Sequence, residues 1–337
     1  MPVNVAIVGP AGSGKTTLFK ALTAGRGADG VGMVDVTDQR LQRLADAVKP
    51  LKVTPAQVRV EDTPPGSRAQ RVAFARQSDV LVKVARCFGP DPQPVAELEE
   101  FALDLVLADL ASVERRLDVV AKEVRAGKKD AAAENEVLQR AKGHLDAGQP
   151  LRTLQLEREQ GELLKNVFPV TLKPTVYVAN SADDLLPGGG PTAAKVGELA
   201  AGEHAPSIVL SARLEAELGE LEAGEQAEMR AGYGIDESGL GRIVRAVWEA
   251  GGLITYFTAG EPEVRAWPCE RDAPAPVAAG KIHTDFEKHF IRAEVTSVDE
   301  LVAAGSMEAL RTAGKLRIEG RDYRVKDGDV VFFRIGR

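Results

Sequence analysis

The run Val3-Asn4-Val5-Ala6-Ile7-Val8, followed at once by Gly9-Pro10-Ala11-Gly12-Ser13-Gly14-Lys15-Thr16, decides how the rest of this chain is read. Every fixed position of the spacing G-x-x-x-x-G-K-[ST] is filled. An apolar strand pattern stands before it and a helical pattern, Thr16-Thr17-Leu18-Phe19-Lys20-Ala21-Leu22, after it. Glycines let such a loop curl until successive N–H groups point inward, a concavity that suits phosphate oxygens. The helix behind it adds the positive end of its dipole. Gly9, Pro10, Ala11, Gly12, Ser13, Gly14, Lys15, Thr16 and Thr17 are therefore the candidate phosphate-binding set. In it Lys15 is expected to reach the β- and γ-phosphates of a nucleoside triphosphate, and the Thr16 hydroxyl to ligate Mg²⁺. A glycine-rich turn that binds nothing is the bland alternative, and the strand-to-helix context weighs against it.

At 337 residues the chain should divide into about two or three domains, each with its own core. No apolar run approaches the roughly 20 residues that cross a bilayer, and the N-terminus carries no basic flank or cleavage site. The expectation is a cytoplasmic protein with no membrane partner. A net charge of −7 excludes a chain that coats nucleic acid nonspecifically, although one domain can still carry a local basic face. Cys87 and Cys269 are far apart, which points to inert thiols rather than a disulfide or a zinc site. The four histidines are scattered singly. Mg²⁺ arriving with the nucleotide is the only metal implied.

Further along, Val58 and Val60 alternate as in a strand, and Asp62 stands at its tip before Thr63-Pro64-Pro65-Gly66. An acid there can hold a water on a phosphate-bound Mg²⁺, so Lys15, Thr16 and Asp62 form the candidate catalytic group and Thr16 with Asp62 the candidate metal ligands. Asp79 to Arg86 reads as a buried strand. Val106, Leu110, Val113, Leu117, Val120 and Val124 recur at spacings of four and three, break at Gly127-Lys128-Lys129, and resume through Val137, Leu138, Ala141 and Leu145. That pattern predicts a helical hairpin over 101–150. Strands are expected again over Val170–Asn180 and Ser207–Leu210. Asn180 and Asp183 follow the first and Ser211-Ala212-Arg213 the second, where doubly wound sheets bind ligands. From Leu253 onward, short alternating runs, among them Leu316 to Ile318 and Tyr323 to Val325, predict a small sheet-plus-helix module.

The ordered series of phosphate loop, strand-tip Asp62, Asn180-x-x-Asp183 and Ser211-Ala212 resembles a translational-GTPase-type G domain. Segments such as Thr255-Tyr256-Phe257-Thr258-Ala259-Gly260, Glu263-Val264-Arg265-Ala266-Trp267, Ala279 to Lys288 and Val325-Lys326-Asp327-Gly328-Asp329-Val330 extend the likeness nearly end to end. So do Arg40-Leu41, Ala47 to Pro50, Leu107 to Leu110 and Thr171 to Thr175. The chain is similar to the YchF family, the Obg-like ATPases. The resemblance implies an α/β fold: a P-loop G domain over 1–100 and 151–252, an inserted coiled-coil hairpin over 101–150 and a C-terminal β-grasp (TGS, ubiquitin-like) domain over 253–337. It also implies a monomeric, Mg²⁺-dependent ATPase or GTPase that works with the ribosome or RNA through hairpin and TGS domain.

Departures from the family pattern shape the remaining expectations. The segment Thr23–Gly32 is much shorter than the expected first switch region and has no threonine matching the usual Mg²⁺ ligand, while the second switch shrinks to Asp62-Thr63-Pro64-Pro65-Gly66. Switches order on the γ-phosphate and relax after hydrolysis. Two readings follow: a slowly turning enzyme, or a nucleotide-binding partner protein in which hydrolysis has decayed. A P-loop kinase lacks a recognisable acceptor site and lid. In G proteins the Asp of Asn-Lys-x-Asp accepts from guanine, whereas the resembled family has Asn-x-x-Glu and is associated with ATP. Asn180-Ser181-Ala182-Asp183 carries the acid without the lysine. The resemblance favours ATP, and GTP stays open.

Overall fold

A computed structural model describes residues 3–336. The chain divides into two compact units, one holding 4–32 and 59–250, the other holding 33–58 and the stretch from Gly251. The first seven strands in chain order are β1 (Val3–Val8), β2 (Val31–Val36), β3 (Val53–Thr54), β4 (Ala56–Asp62), β5 (Val80–Cys87), β6 (Thr175–Ser181) and β7 (Ser207–Leu210). All but β3 form one sheet in the order β2-β4-β1-β5-β6-β7. Ile7 lies opposite Val82, Val82 opposite Val176 and Ala179 opposite Val209, all in parallel pairs. Val80 to Val82, Val84 and Ala85 on β5 and Val176 to Ala179 on β6 are buried, the continuous apolar runs of strands covered on both faces. The chain leaves β1 toward β2 and β4, then crosses to β5 on the other side. Strand order thus reverses beside β1, and the crevice at its carboxyl end is where such a sheet takes a ligand.

The helices Pro94–Arg125 and Ala131–Asp146 pair through Val106, Val113, Leu117 and Val120 on one and Val137, Leu138, Ala141 and Leu145 on the other. The first of them starts earlier than the apolar repeat announces. Proline suits a first helical position, where its missing N–H has no intrahelical partner to lose. The opening turns then bury Leu98 beside Cys87 and Tyr177, and Phe101 and Leu105 beside Ala6, Val8 and Leu81. One continuous helix therefore runs from the sheet into the hairpin. Asp109, fully buried on it, accepts from Val170 N (3.0 Å), Thr171 N (2.7 Å) and Thr171 Oγ (2.8 Å), which fixes the chain where it re-enters the sheet. The helix Arg158–Lys165, not foreseen from the sequence, adds Leu164 to the hairpin's core.

The other unit carries β8 (Leu253–Ala259), β9 (Val264–Glu270), β10 (Phe290–Ser297), β11 (Arg317–Glu319) and β12 (Asp329–Ile335). With β3 they form a sheet in the order β11-β10-β12-β8-β9-β3. β8 and β12 run parallel at its centre, flanked by antiparallel β9 and β10, and the helix Ala275–Ile282 buries Ala275, Ala278 and Ala279 among Tyr256, Val295 and Phe333. This is a β-grasp arrangement. Tyr323–Val325 is not a strand: Arg324 makes a single bridge to Pro274, Val325 fills the core and the Tyr323 hydroxyl donates to Asp329 (2.7 Å). Alternation there reports alternating burial, not ladder pairing. Within the segment 33–58 the helix Gln39–Val48 and β3 pack into this unit. Arg40 on the helix Gln39–Val48 donates to Asp327 (2.6 Å) at the turn before β12, and Val53 of β3 lies opposite Val264 of β9.

A candidate nucleotide site

At the carboxyl end of β1 the backbone turns through Gly9 (φ +141°) and Gly14 (φ +93°), conformations that L side chains rarely adopt. Space closes the argument. A Cβ on Gly9 would lie 2.5 Å from the Val84 carbonyl oxygen, and one on Gly14 2.2 Å from Asn180 Nδ2. The helix Lys15–Leu22 opens directly on this loop, buries Leu18, Phe19, Ala21 and Leu22, and leaves Thr16 and Thr17 outward. Lys15 Nζ donates to the Pro10 carbonyl (2.6 Å). Burial holds its ammonium below the usual lysine range, with Asp62 pulling against this and Arg71 adding to it.

Thr16 and Asp62, 46 residues apart, meet directly: Thr16 Oγ donates to Asp62 Oδ2 at 2.7 Å. Asp62 is fixed by its own N–H to the Gly30 carbonyl (2.8 Å) and by Thr63, whose N–H donates to Ile7 (3.2 Å). Its second oxygen, Oδ1, is buried without a partner, and so is Ser13 Oγ within the loop. Such atoms lose their solvation for nothing unless a ligand meets them. The hydroxyl and carboxylate oxygens are hard donors, matched to Mg²⁺ rather than to a soft metal. Among the described residues no cluster of three His, Cys, Asp or Glu could hold an ion unaided. A Mg²⁺ ion here would draw the rest of its shell from water and ligand oxygens.

A pocket of about 740 Å³ opens beside these groups, lined by Gly9, Pro10, Ala11, Lys15 and Thr16, by Thr63 to Gly66, and by Arg71, Glu97, Glu100, Phe101 and Asp104. The last five were not singled out as site residues. Arg71 and Asp104 come from helices whose approach to the loop is a tertiary event, which no local sequence signal announces.

Asn180, Asp183, Ser211, Ala212 and Arg213 form a second cluster at the tips of β6 and β7. Asn180, nearly buried, links it to the loop by donating to the Ser13 carbonyl and accepting from Ala212 N, both at 2.9 Å. Asp183 is engaged at both oxygens, by the Ser211 hydroxyl and the Arg213 guanidinium. Partial burial would raise its pKa, but these two partners outweigh it and hold the carboxyl below its usual range. The thiols lie elsewhere, both buried, and burial pushes Cys87 up to about 11 and Cys269 to about 12.

Known proteins match this chain along its whole length. The protein named ribosome-binding ATPase YchF in Bacillus subtilis (strain 168) is 38% identical over 364 residues, covering 99% of each chain, and its namesake in Escherichia coli O157:H7 is 38% identical over 360 residues with the same coverage. The chain belongs to the YchF family. The solved structure of the Schizosaccharomyces pombe YchF GTPase superimposes with a TM-score of 0.88 at 26% identity, covering 98% of this chain and 97% of that one. Residues 253–336 match the family model YchF-GTPase_C, described as a protein of unknown function (DUF933). The YchF architecture, a P-loop G domain with a C-terminal domain, is therefore the architecture of this chain. Among the described residues no helix is long and apolar enough to cross a membrane.

Proposed function

We propose that this YchF-family chain binds a nucleoside triphosphate with Mg²⁺ and hydrolyses its terminal phosphoanhydride slowly, with ATP preferred to GTP. The observation that carries the reading is the contact of Thr16 Oγ with Asp62, beside the Lys15 ammonium and with Asp62 Oδ1 left unpartnered. In hydrolysis a water oxygen attacks the γ-phosphorus, the bond to the β–γ bridging oxygen breaks, and its electron pair leaves with the diphosphate. The water's proton passes to the released phosphate. Lys15 and the backbone N–H groups that the loop offers around it would hold the charge that develops on the oxygens. Thr16 and Asp62 would hold Mg²⁺, which when bound supplies further positive charge to the β- and γ-oxygens. Among the described residues no glutamine or histidine lines the pocket.

The base-reading candidate is Asp183. Ser211 and Arg213 hold this carboxylate and leave each of its oxygens a further lone pair, so the aspartate alone does not exclude guanine, and the preference is supported by the relatives' name, ribosome-binding ATPase. The relatives' name supports a ribosomal partner. The paired helices Pro94–Arg125 and Ala131–Asp146 and the β-grasp module after Gly251 are the proposed contact elements, with the sheet around β1 as the nucleotide-binding domain.

Calorimetric titration with MgATP and MgGTP, with phosphate release followed in the same samples, tests the reading. Parent protein should bind ATP more tightly and release phosphate, and Lys15→Ala should weaken ATP binding by about 10- to 100-fold, the worth of a charged hydrogen bond. Absence of binding to either nucleotide refutes it. Tight binding with phosphate release no greater than that of Lys15→Ala favours the partner-protein reading.

A further inference from the structure

The helix Arg68–Gln77 is capped at its start, where the Ser67 hydroxyl accepts from Gln70 N and Gln70 Oε1 accepts from Ser67 N, yet its first-turn charge opposes its dipole. Its first turn contains Arg68 and Arg71 and no acidic residue, although the N-terminal end of a helix disfavours cations. Compensation from outside is incomplete. Asp104 Oδ1 lies 2.9 Å from Arg68 Nε, and its other oxygen lies 3.5 Å from Arg71 Nη2, so one carboxylate serves two guanidiniums. The shorter contact goes to Arg68. Arg71 is steadied instead by Nη1, which donates to the Gly66 carbonyl (2.8 Å). Gly66 and Arg71 line the same pocket as Gly9, Lys15 and Thr16. Of the other pocket carboxylates, Glu97 is paired with Arg86 and Glu100 is exposed.

A helix that keeps its caps but sets aside the first-turn charge preference beside a pocket points to a functional position. What gains from a guanidinium that shares its carboxylate and lines the pocket with Lys15 is an anion carrying more charge than one lysine neutralises. A phosphate oxyanion accepts two parallel N–H bonds from a guanidinium, and its charge would also relieve the unfavourable dipole.

Resting on the reading of this pocket as a triphosphate site, we infer that Arg71 contacts the terminal phosphate and makes the protein discriminate a nucleoside triphosphate from a diphosphate. Arg68, which shares Asp104 but does not line the pocket, has no part in that discrimination. The test is calorimetric titration of the full chain with MgATP and MgADP, on the parent, Arg71→Ala, Arg71→Lys and Arg68→Ala, with thermal unfolding of each. Arg71→Ala should lose about 10- to 100-fold in ATP affinity with ADP affinity unchanged, Arg71→Lys should recover part of the loss, and Arg68→Ala should keep the parent's ATP/ADP ratio. An unchanged ratio in Arg71→Ala, with parent binding intact, overturns the inference and leaves the nucleotide reading standing. Loss of the ratio in Arg68→Ala to the same extent overturns it too, since both arginines would then act only through Asp104. A parent that binds neither nucleotide brings down the reading beneath it.

Discussion

Replacing Gly14 by alanine tests how the phosphate loop is joined to the far side of the sheet. The added Cβ would stand 2.2 Å from Asn180 Nδ2, well inside contact distance, at a backbone φ of +93°. Asn180 cannot yield without loss, because its amide is nearly buried and bridges the Ser13 carbonyl and the Ala212 N–H, each at 2.9 Å. Left-handed strain on alanine costs about 1–2 kcal/mol. Each broken bond in a buried setting costs about 1–1.5 kcal/mol more. The sum is roughly 3–5 kcal/mol, which for a unit of this size lowers the melting temperature by about 10 °C. Thermal unfolding followed by circular dichroism measures it, and a double-mutant cycle assigns the cause. On an Asn180→Ala background the clash and both bonds are already gone, so Gly14→Ala should there cost only the strain, about 1–2 kcal/mol. A Gly14→Ala single variant melting within about 1 °C of the parent, or full additivity of the two substitutions, refutes the reasoning.

Three further outcomes are expected. Asp109→Ala strands the N–H groups of Val170 and Thr171 in the interior and should cost about 3–5 kcal/mol in urea unfolding; a loss below about 1 kcal/mol contradicts the role given to this carboxylate. Glu294, buried on β10, would be raised by burial, but Arg334 and Arg311 outweigh this and hold its pKa at about 2, against an ordinary 4.5. Because the folded value is the depressed one, its stabilisation is complete above the ordinary value and fades as pH falls from 4.5 toward 2. The stability gap between parent and Glu294→Gln should close over that window, and a gap independent of pH opposes the assignment. Asp183→Asn should shift the ratio of ATP to GTP affinity by less than about 3-fold if Asp183 serves only to anchor Ser211 and Arg213; a guanine-reading aspartate would instead lose about 10-fold or more in GTP affinity.

What the sequence determined by itself is whatever lies within a few residues of chain. The turn from β1 into Lys15–Leu22 is a local object, since glycine backbone freedom, a lysine and a threonine at fixed spacing act over eight residues. The hairpin seam and the buried strands β5 and β6 are equally local, because side-chain periodicity reports which face is covered. Periodicity does not say by what. That Thr16 meets Asp62, that Asn180 ties Ser13 to Ala212, and that Arg71 and Asp104 close the pocket wall are contacts between residues tens to well over a hundred positions apart. The helix start at Pro94 is hidden for the same reason: its opening turns are held by the sheet rather than by the hairpin repeat. So is the attachment of the helix Gln39–Val48 and of β3 to the β-grasp unit, decided by the pairing of Arg40 with Asp327 and of β3 with β9. Local torsional preference wrote the loop, while packing and charge pairing across the chain selected which side chains surround it.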